Sequence, residues 1–464
     1  MRKEEEFSDW YNEAVEKAEL SDKRYPIKGM NVWRPYGWSI MRLIDQAMRE
    51  EFDATGHGEV SFPVLIPETE FAKEAEHVKG FEGDVFWVTR GGFNALDVKL
   101  VLRPTSETAM YPMFKLWIRS HADLPLKVYQ IVPVFRYETK MTQTFMRVRE
   151  INFFESHTAH ASFEDAEQQI REDLQINERL MRLLALPYRI HRRPDWDKFP
   201  GAHYSLACDT LLPSGRVLQV GTFHQYRDNF AKVYDVQYED EKGEHHFVHQ
   251  TTDGMSERIL GAIVAIHGDE KGIVLPPAVA PVQAVIVPIL EKGRQEEILQ
   301  EAQKLFLELR ERMRVKLDDR DLRPGEKFFA WEARGVPVRV ELGPRDLAKH
   351  AVTVVRRDNG QKRELPRDGL PDRLRSVLEL MQIDMWERAD KLLRENTSSV
   401  DRLEDAKDGI NRLGWCGDEA CGKAIGDRTG MNVLGTPFYP EEFDGKCVVC
   451  GKPTKQVVYA AKAY

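Results

Sequence analysis

The 464-residue chain predicts an α/β architecture of the α+β kind: an antiparallel sheet flanked by helices, then a small α/β domain, then a cysteine-rich module. Three observations carry that expectation. The stretches KVYQIVPVFRYE (127–138), VREINFFESHTAH (148–160) and DVQYEDEKGEHHFVHQ (235–250) read as strands, the first two joined across a hairpin-sized gap. From residue 283 onward, strand-like and helix-like segments alternate, as in a small α/β unit. Four of the five cysteines, Cys416, Cys421, Cys447 and Cys450, cluster at the C-terminal end.

The elements follow in order. Residues 1–20, MRKEEEFSDWYNEAVEKAEL, hold two cations, then three glutamates, and no apolar core of leader length, so a short amphipathic helix is expected. Residues 21–275 form the main sheet region, in which FEDAEQQIREDLQINERLMRLLAL (163–186) carries helical periodicity. In LPPAVAPVQ the prolines permit neither helix nor central strand, so residues 276–283 are expected to be a linker. Residues 284–380 are the α/β domain, and 381–464 a charged helix with the cysteine module.

The net charge of −9 excludes a global field for nucleic acid, so any such partner must meet a local patch. From Arg334 to Arg375 there are eleven Lys or Arg against six Asp or Glu. The longest apolar run (272–290) contains Pro276, Pro277, Pro281 and Pro288, which exclude a bilayer-spanning helix. A cytoplasmic enzyme with no membrane partner is the expectation.

WCGDEACGK and KCVVCGK supply four soft ligands in two knuckles, which fits a closed, structural tetrahedral zinc site. Two disulfides are the alternative, disfavoured in a reducing compartment. No G-x-x-x-x-G-K-[ST] or G-x-G-x-x-G occurs. KMTQT (140–144) faintly matches the KMSKS loop of class I synthetases, without its His-x-Gly-His partner. His245, His246 and His249 lie by a Lys-Gly turn and read as a hairpin surface before a metal site.

PVFRYETKMTQTFMRVREINFFE (133–155) crowds Arg136, Lys140, Arg147 and Arg149 among Glu138, Glu150 and Glu155, with four phenylalanines interleaved. Strand parity puts Arg136 with Glu138 on one face, and Arg149, Ile151, Phe153 and Glu155 on one face of the returning strand. A solvated hairpin is one reading. A site for a flat, charged ligand, under a loop that is loose until ligand arrives, accounts for the aromatics as well.

These stretches, with SFPVLIPE (61–68, holding Pro63), LRPTSET (102–108), LQVGTFH (218–224), GMSERILGAIVAIHG (254–268) and VELGPRD (340–346), run in the order found in class II aminoacyl-tRNA synthetases. From IKGMNVWRPYGW to Tyr464 the chain closely resembles the archaeal and eukaryotic prolyl-tRNA synthetases. The resemblance implies activation of L-proline by ATP with Mg2+, transfer to tRNA(Pro), a homodimer, and Zn2+ in the terminal module. It implies that Arg136 holds the α-phosphate and the proline carboxylate, that Glu138 and Val148 read adenine, and that Phe145 and Arg258 sandwich the ring. Arg147 would meet the γ-phosphate, with Gln219, Thr222 and Ser256 completing the nucleotide contacts.

Thr105 and Glu107 would take the proline ammonium; Phe153, His157 and His224 would wall its ring, with Glu155 behind. The bland alternative makes Thr105 a helix cap and Glu107 its capping-box partner. Phe153 stands where eukaryotic relatives carry Trp, and Phe223 where they carry Ser. Glu341 and Arg345 would face the anticodon. Another class II specificity is the nearest competing reading, with the missing zinc-ligand set in the catalytic region arguing against threonine. A catalytically dead RNA-binding paralogue is opposed by the intact Arg136, Glu138, Gln219 and Arg258.

Overall fold

The computed structural model describes residues 6–73, 83–138 and 141–464; Thr139 and Lys140 of the charged hairpin lie outside them. The first helix, α1 (Phe7–Lys17), buries Phe7, Trp10, Tyr11, Ala14 and Val15, a spacing of three and one that makes a single stripe. Helix α2 (Pro35–Asp53) starts on a proline, whose fixed φ and missing N–H suit a first turn.

The strands that the catalytic region gives to the main sheet are β1 (Gly58–Glu59), β2 (Leu126–Phe135), β3 (Glu150–His160), β4 (Arg189–Arg192), β5 (Tyr204–Leu211), β6 (Val217–Arg227) and β7 (His249–Ser256). The helices that frame them include α3 (Glu107–Trp117), α4 (Phe163–Leu183) and α5 (Arg258–His267). Helix α4 is capped by the Ser162 hydroxyl, which accepts from the Asp165 amide at 3.1 Å. Its stripe of Ala166, Ile170, Leu174, Ile176, Leu180 and Met181 lies against the sheet.

The second domain is a five-stranded sheet, β8 (Ala284–Pro288), β9 (Val315–Leu317), β10 (Val338–Leu342), β11 (Ala351–Arg356) and β12 (Lys362–Pro366), in the order β9-β8-β10-β11-β12. Its helices are α6 (Gln295–Arg310) and α7 (Pro324–Ala333). Strand β8 runs parallel to both neighbours, as crossover helices require. Strand β12 was not anticipated, because its largely exposed KRELP shows no alternation of polarity. Helix α8 (Leu370–Glu395) runs through the 380–381 boundary, so no break falls there.

The proline segment after β7 is not a loose tether. Leu275, Val279 and Ala280 sit in the main core. Arg314 donates to the carbonyls of Pro277 (2.9 Å), Ala278 (2.8 Å) and Ala280 (2.8 Å). Prolines remove N–H donors but leave acceptors, and one guanidinium fork satisfies them.

The terminal module adds β13 (Thr397–Val400), β14 (Ile410–Gly414), α9 (Glu419–Thr429), β15 (Asn432–Pro437) and β16 (Val457–Ala461). These strands extend the catalytic sheet into eleven, in the order β13-β14-β16-β15-β4-β5-β6-β7-β3-β2-β1. The seam pairs Thr436 with Arg192 and Pro437 with His191. At Gly435, with φ of +125°, an added Cβ would stand 2.1 Å from the Arg192 carbonyl oxygen. Gly435→Ala is therefore expected to lower global stability by roughly 3 kcal/mol in denaturant unfolding, through backbone strain and the forced opening of this seam.

Candidate active site

A cavity of about 380 Å³ lies over β3, β5, β6 and β7. On β7, Thr252, Gly254 and Ser256 alternate onto its wall. A Cβ at Gly254 would come within 2.8 Å of the Phe153 ring, so glycine lets that ring cross the strand. On β6, Gln219, Thr222 and His224 reach the cavity, whereas Phe223 is 1% exposed in the main core. Its bulk therefore does not alter the cavity wall.

One end of the cavity is cationic. Strand β2 ends at Phe135, and Arg136 and Glu138 follow it on the exit, where the Arg136 amide donates to the Arg149 carbonyl at 2.9 Å. Arg136 donates through Nε to the Pro104 carbonyl at 3.2 Å and lies 5.8 Å from the Phe153 ring centre. Arg258, the first residue of α5, donates to the Met146 carbonyl at 2.8 Å and so grips the hairpin loop. Arg147 stands 3.8 Å from Glu138. Burial, then the charges of Arg136 and Arg147, bring Arg258 down to about 10; burial lowers Arg136 as well, against Glu107, Glu155 and Asp84. Guanidiniums that perturb one another across a buried cavity call for a polyanionic ligand.

Phe145 and Val148 line this end too. Phe145 adopts φ of +63°, an uncommon conformation for a bulky side chain, and its ring lies 4.7 Å from that of Trp33. The loop is exposed at its near end and fastened at its far end. Met141 is 86% exposed, but the Tyr11 hydroxyl donates to the Thr144 carbonyl at 3.0 Å, and Gln143 donates to Asn12 at 3.3 Å. Helix α1 thus straps the far half of the loop, a long-range contact that local sequence does not announce.

The other end is built for a small cation with an apolar body. Glu107 at the start of α3 accepts from the Thr105 hydroxyl at 2.6 Å and the Tyr226 hydroxyl at 2.9 Å. The helix has no side-chain cap, so the capping-box alternative is not what forms. His224 stacks on Phe199 at 4.5 Å and meets the Ser205 hydroxyl at 2.8 Å. Burial, then His157 and Arg136, pull it down to about 3, which keeps it neutral. Glu155 and His157 do not reach the cavity wall; they lie beneath it. Glu155 accepts from the Ser106 amide (3.1 Å), the Ser106 hydroxyl, Gln130 (2.9 Å) and His157 (3.0 Å). Strand parity placed Ile151 and Phe153 correctly, but it does not reveal that the Thr105–Ser106 turn covers Glu155.

Sequence reasoning missed Arg193, Asp197, Lys198, Phe199 and Thr252 on the cavity wall. In RPDWDKFPG the only signal is charge and aromatics beside a Pro-Gly turn, with no periodicity. The three histidines fall on and after a hairpin, with His246 held 3.0 Å from Asp240 on an exposed turn.

The four terminal cysteines bring their sulfurs within 4.8 Å of one another, and Cys416 and Cys450 stand 3.7 Å apart. Zinc–thiolate bonds of about 2.3 Å space sulfurs by about 3.8 Å in a tetrahedron. A disulfide needs about 2.05 Å. Burial, then Cys416, Cys450 and Cys447, push Cys421 up to about 12, a crowding that a divalent cation relieves. The cluster is compatible with structural zinc.

The basic stretch is less free than its count implied. Arg334 pairs with Glu19, and Arg357 with Asp269 at 2.6 Å, both across to the catalytic region. Arg356 holds Asp358 (2.8 Å) and Asp384 (2.6 Å). Arg345, Arg363 and Arg373 have no ion pair among the described residues. Glu341 is 7% exposed and accepts from Arg339 (3.0 Å) and Lys362 (2.8 Å).

Residues 86–267 match the family model for the tRNA synthetase class II core domain (G, H, P, S and T), and 283–377 that for the anticodon binding domain. The chain is thus a class II aminoacyl-tRNA synthetase. Residues 400–464 match the model for the prolyl-tRNA synthetase C-terminal domain. The proline-tRNA ligases of Thermococcus kodakarensis and Pyrococcus horikoshii are 54% and 56% identical, over 99% of this chain and 98% of theirs. The structure of Giardia lamblia prolyl-tRNA synthetase in complex with prolyl-adenylate superposes with a TM-score of 0.95 at 34% identity, covering 99% of both chains. The chain belongs to the prolyl-tRNA synthetase family.

The buried Glu155–His157 pair has a defined pH signature. Burial opposes both charges, yet His157 with the Ser106 and Gln130 bonds holds Glu155 down to about 2, and Glu155 raises His157. The Glu155 contribution is complete above the ordinary carboxylate range and is lost as pH falls through its depressed value. The His157 contribution is complete below the ordinary histidine range and is lost as pH rises through its raised value. By NMR, the His157 ring is expected to titrate above the ordinary histidine range, and in Glu155→Gln below it, because burial, the largest influence, then outweighs the remaining charge of Glu107.

Proposed function

We propose that this chain condenses L-proline with ATP, accompanied by Mg2+, to prolyl-adenylate, and transfers proline to the 3′ end of tRNA(Pro). The observation that carries this is one cavity lined by the Arg147 and Arg258 guanidiniums and by the Glu107 carboxylate with Phe199 and His224, with Arg136, which feels both Arg258 and Glu107 and lies 5.8 Å from the Phe153 ring, joining the two groups. In the reaction a carboxylate oxygen of proline bonds to the α-phosphorus as the bond to pyrophosphate breaks. The terminal adenosine hydroxyl of tRNA then attacks the acyl carbon, and AMP leaves. No covalent enzyme intermediate is needed, so the protein supplies positioning and fixed charge.

Arg136 stabilises the charge that builds on phosphorus, Arg147 takes the γ-phosphate, and Phe145 and Arg258 hold adenine, whose edge Glu138 and the Val148 backbone read. Gln219, Thr222 and Ser256 complete the nucleotide contacts. Magnesium adds a Lewis acid on the phosphates when bound. Glu107 and Thr105 accept the secondary ammonium. Glu155 and His157 support that turn from below. Zinc on the four cysteines is structural, since four thiolates leave no open position. Glu341 and Arg345 face the anticodon, and Glu341 engages a base by exchanging the exposed Lys362 for it. A homodimer is supported by Leu65, Trp87 and Val98, exposed on a three-stranded sheet of Leu65–Pro67, Phe86–Gly91 and Asn94–Leu102 that begins within the SFPVLIPE segment.

Arg136→Ala is expected to abolish proline-dependent ATP–pyrophosphate exchange with the fold retained by circular dichroism; exchange at the wild-type rate contradicts the assignment. The specificity reading has its own consequence. Between β3 and β6 the chain spends its length on α4, β4 and β5 alone, which leaves no inserted editing domain. Alanine is two carbons smaller than proline, and each methylene missing from an apolar pocket is worth only about 10–200-fold in discrimination. Alanine-dependent exchange and no hydrolysis of Ala-tRNA by the isolated enzyme are the expected outcomes; efficient hydrolysis contradicts them.

A further inference from the structure

The segment between β4 and β5 faces two ways. On one side, Arg193, Asp197, Lys198 and Phe199 line the substrate cavity. On the other, the same segment is fastened to the terminal module. The Trp196 ring packs where a Cβ at Gly422 would come within 2.4 Å, edge-on to Trp415 at 6.1 Å, in the cluster that holds Cys416, Cys421 and Cys447. His191 lies 5.0 Å from the Tyr459 ring of β16.

Arg193 joins the two sides. Its Nη1 donates to the Leu434 carbonyl of β15 at 2.7 Å, and its Nη2 donates to Asp209 at 2.9 Å and to Gln219 Oε1 at 2.8 Å. Asp209 is in turn held by His191 at 2.8 Å. A guanidinium only donates, so the Gln219 oxygen must face it. The Gln219 amide nitrogen is then fixed as the donor that side chain offers a ligand.

We propose that Arg193 is a positioning residue through which the terminal module sets the Gln219 amide for the nucleotide. The proposal deepens the reading of Gln219 as a nucleotide contact and rests on it. Three partners met at once need the planar fork. A lysine keeps the charge beside Asp209 but presents a single flexible ammonium, and it cannot reproduce both the Leu434 and the Gln219 bonds. Gly435, next to Leu434, has no room for a Cβ, so the Leu434 carbonyl is presented by a closely seated backbone.

The test is a double-mutant cycle in tRNA-independent, proline-dependent ATP–pyrophosphate exchange on the full chain, with Arg193→Lys, Arg193→Met, Gln219→Ala and the double variants. Each single substitution is expected to raise KM for ATP about fivefold or more with a smaller change in kcat, and the double variants no further than Gln219→Ala. Arg193→Lys, which retains the Asp209 pair, is expected to keep the wild-type Tm while sharing the KM rise. If Gln219→Ala raises KM and Arg193→Lys leaves it at the wild-type value, the relay is overturned and the Gln219 reading stands. If Gln219→Ala changes nothing, both fall. Effects that multiply in the double variants also overturn the relay.

Discussion

Positive charge held among buried side chains is the constraint from which the rest of the structure follows. Arg136 is tied to the Pro104 carbonyl and Arg258 to the Met146 carbonyl, while Arg147 faces Glu138. Arg136 and Arg258 are each aimed by a group drawn from another part of the chain, so desolvating them is tolerable only while that frame is intact. Helix α1 straps the hairpin loop at Thr144, and α5 begins with Arg258 itself. On the proposed reading, charge preorganised in this way needs no reorganisation at the moment of reaction, which would account for the framing of these three side chains.

A second dependence runs along the sheet. The terminal module continues the catalytic sheet through β15 and β4, so its cysteine cluster, Trp196 and the cavity wall form one packed series. A metal closing the cysteine cluster would thus be joined to the cavity wall through this packing, although none of these four cysteines lines the cavity. The second domain is joined differently. Arg357 to Asp269 and Arg334 to Glu19 bind it to the catalytic region by charge, and Arg314 clamps the proline segment between them.

What was legible in the sequence was what is local. The α4 periodicity, the alternation that puts Ile151 and Phe153 on the cavity wall, and the spacing of the four cysteines are all set within a few residues, and the structure reproduces each. Features set across long separations were not legible. Glu155 lies under a turn that comes from residues 105–106, so parity alone placed it in the cavity. Which of the cations from Arg334 to Arg375 are tied up within the protein was likewise not legible, because partners such as Glu19, Asp269 and Glu308 lie far away in the chain. Phe199 and Arg193 carried no periodic signal, and their roles emerge only when β4 and β5 bring them beside β6.

The account is tested most directly by a crystal structure of the enzyme with a non-reactive prolyl-adenylate analogue. Its phosphate is predicted within hydrogen-bonding reach of Arg136, its adenine between Phe145 and Arg258, and its ring nitrogen on Glu107 and Thr105. An analogue bound with its phosphate away from Arg136, or with its ring nitrogen turned from Glu107, would contradict the assignment of the two ends of the cavity.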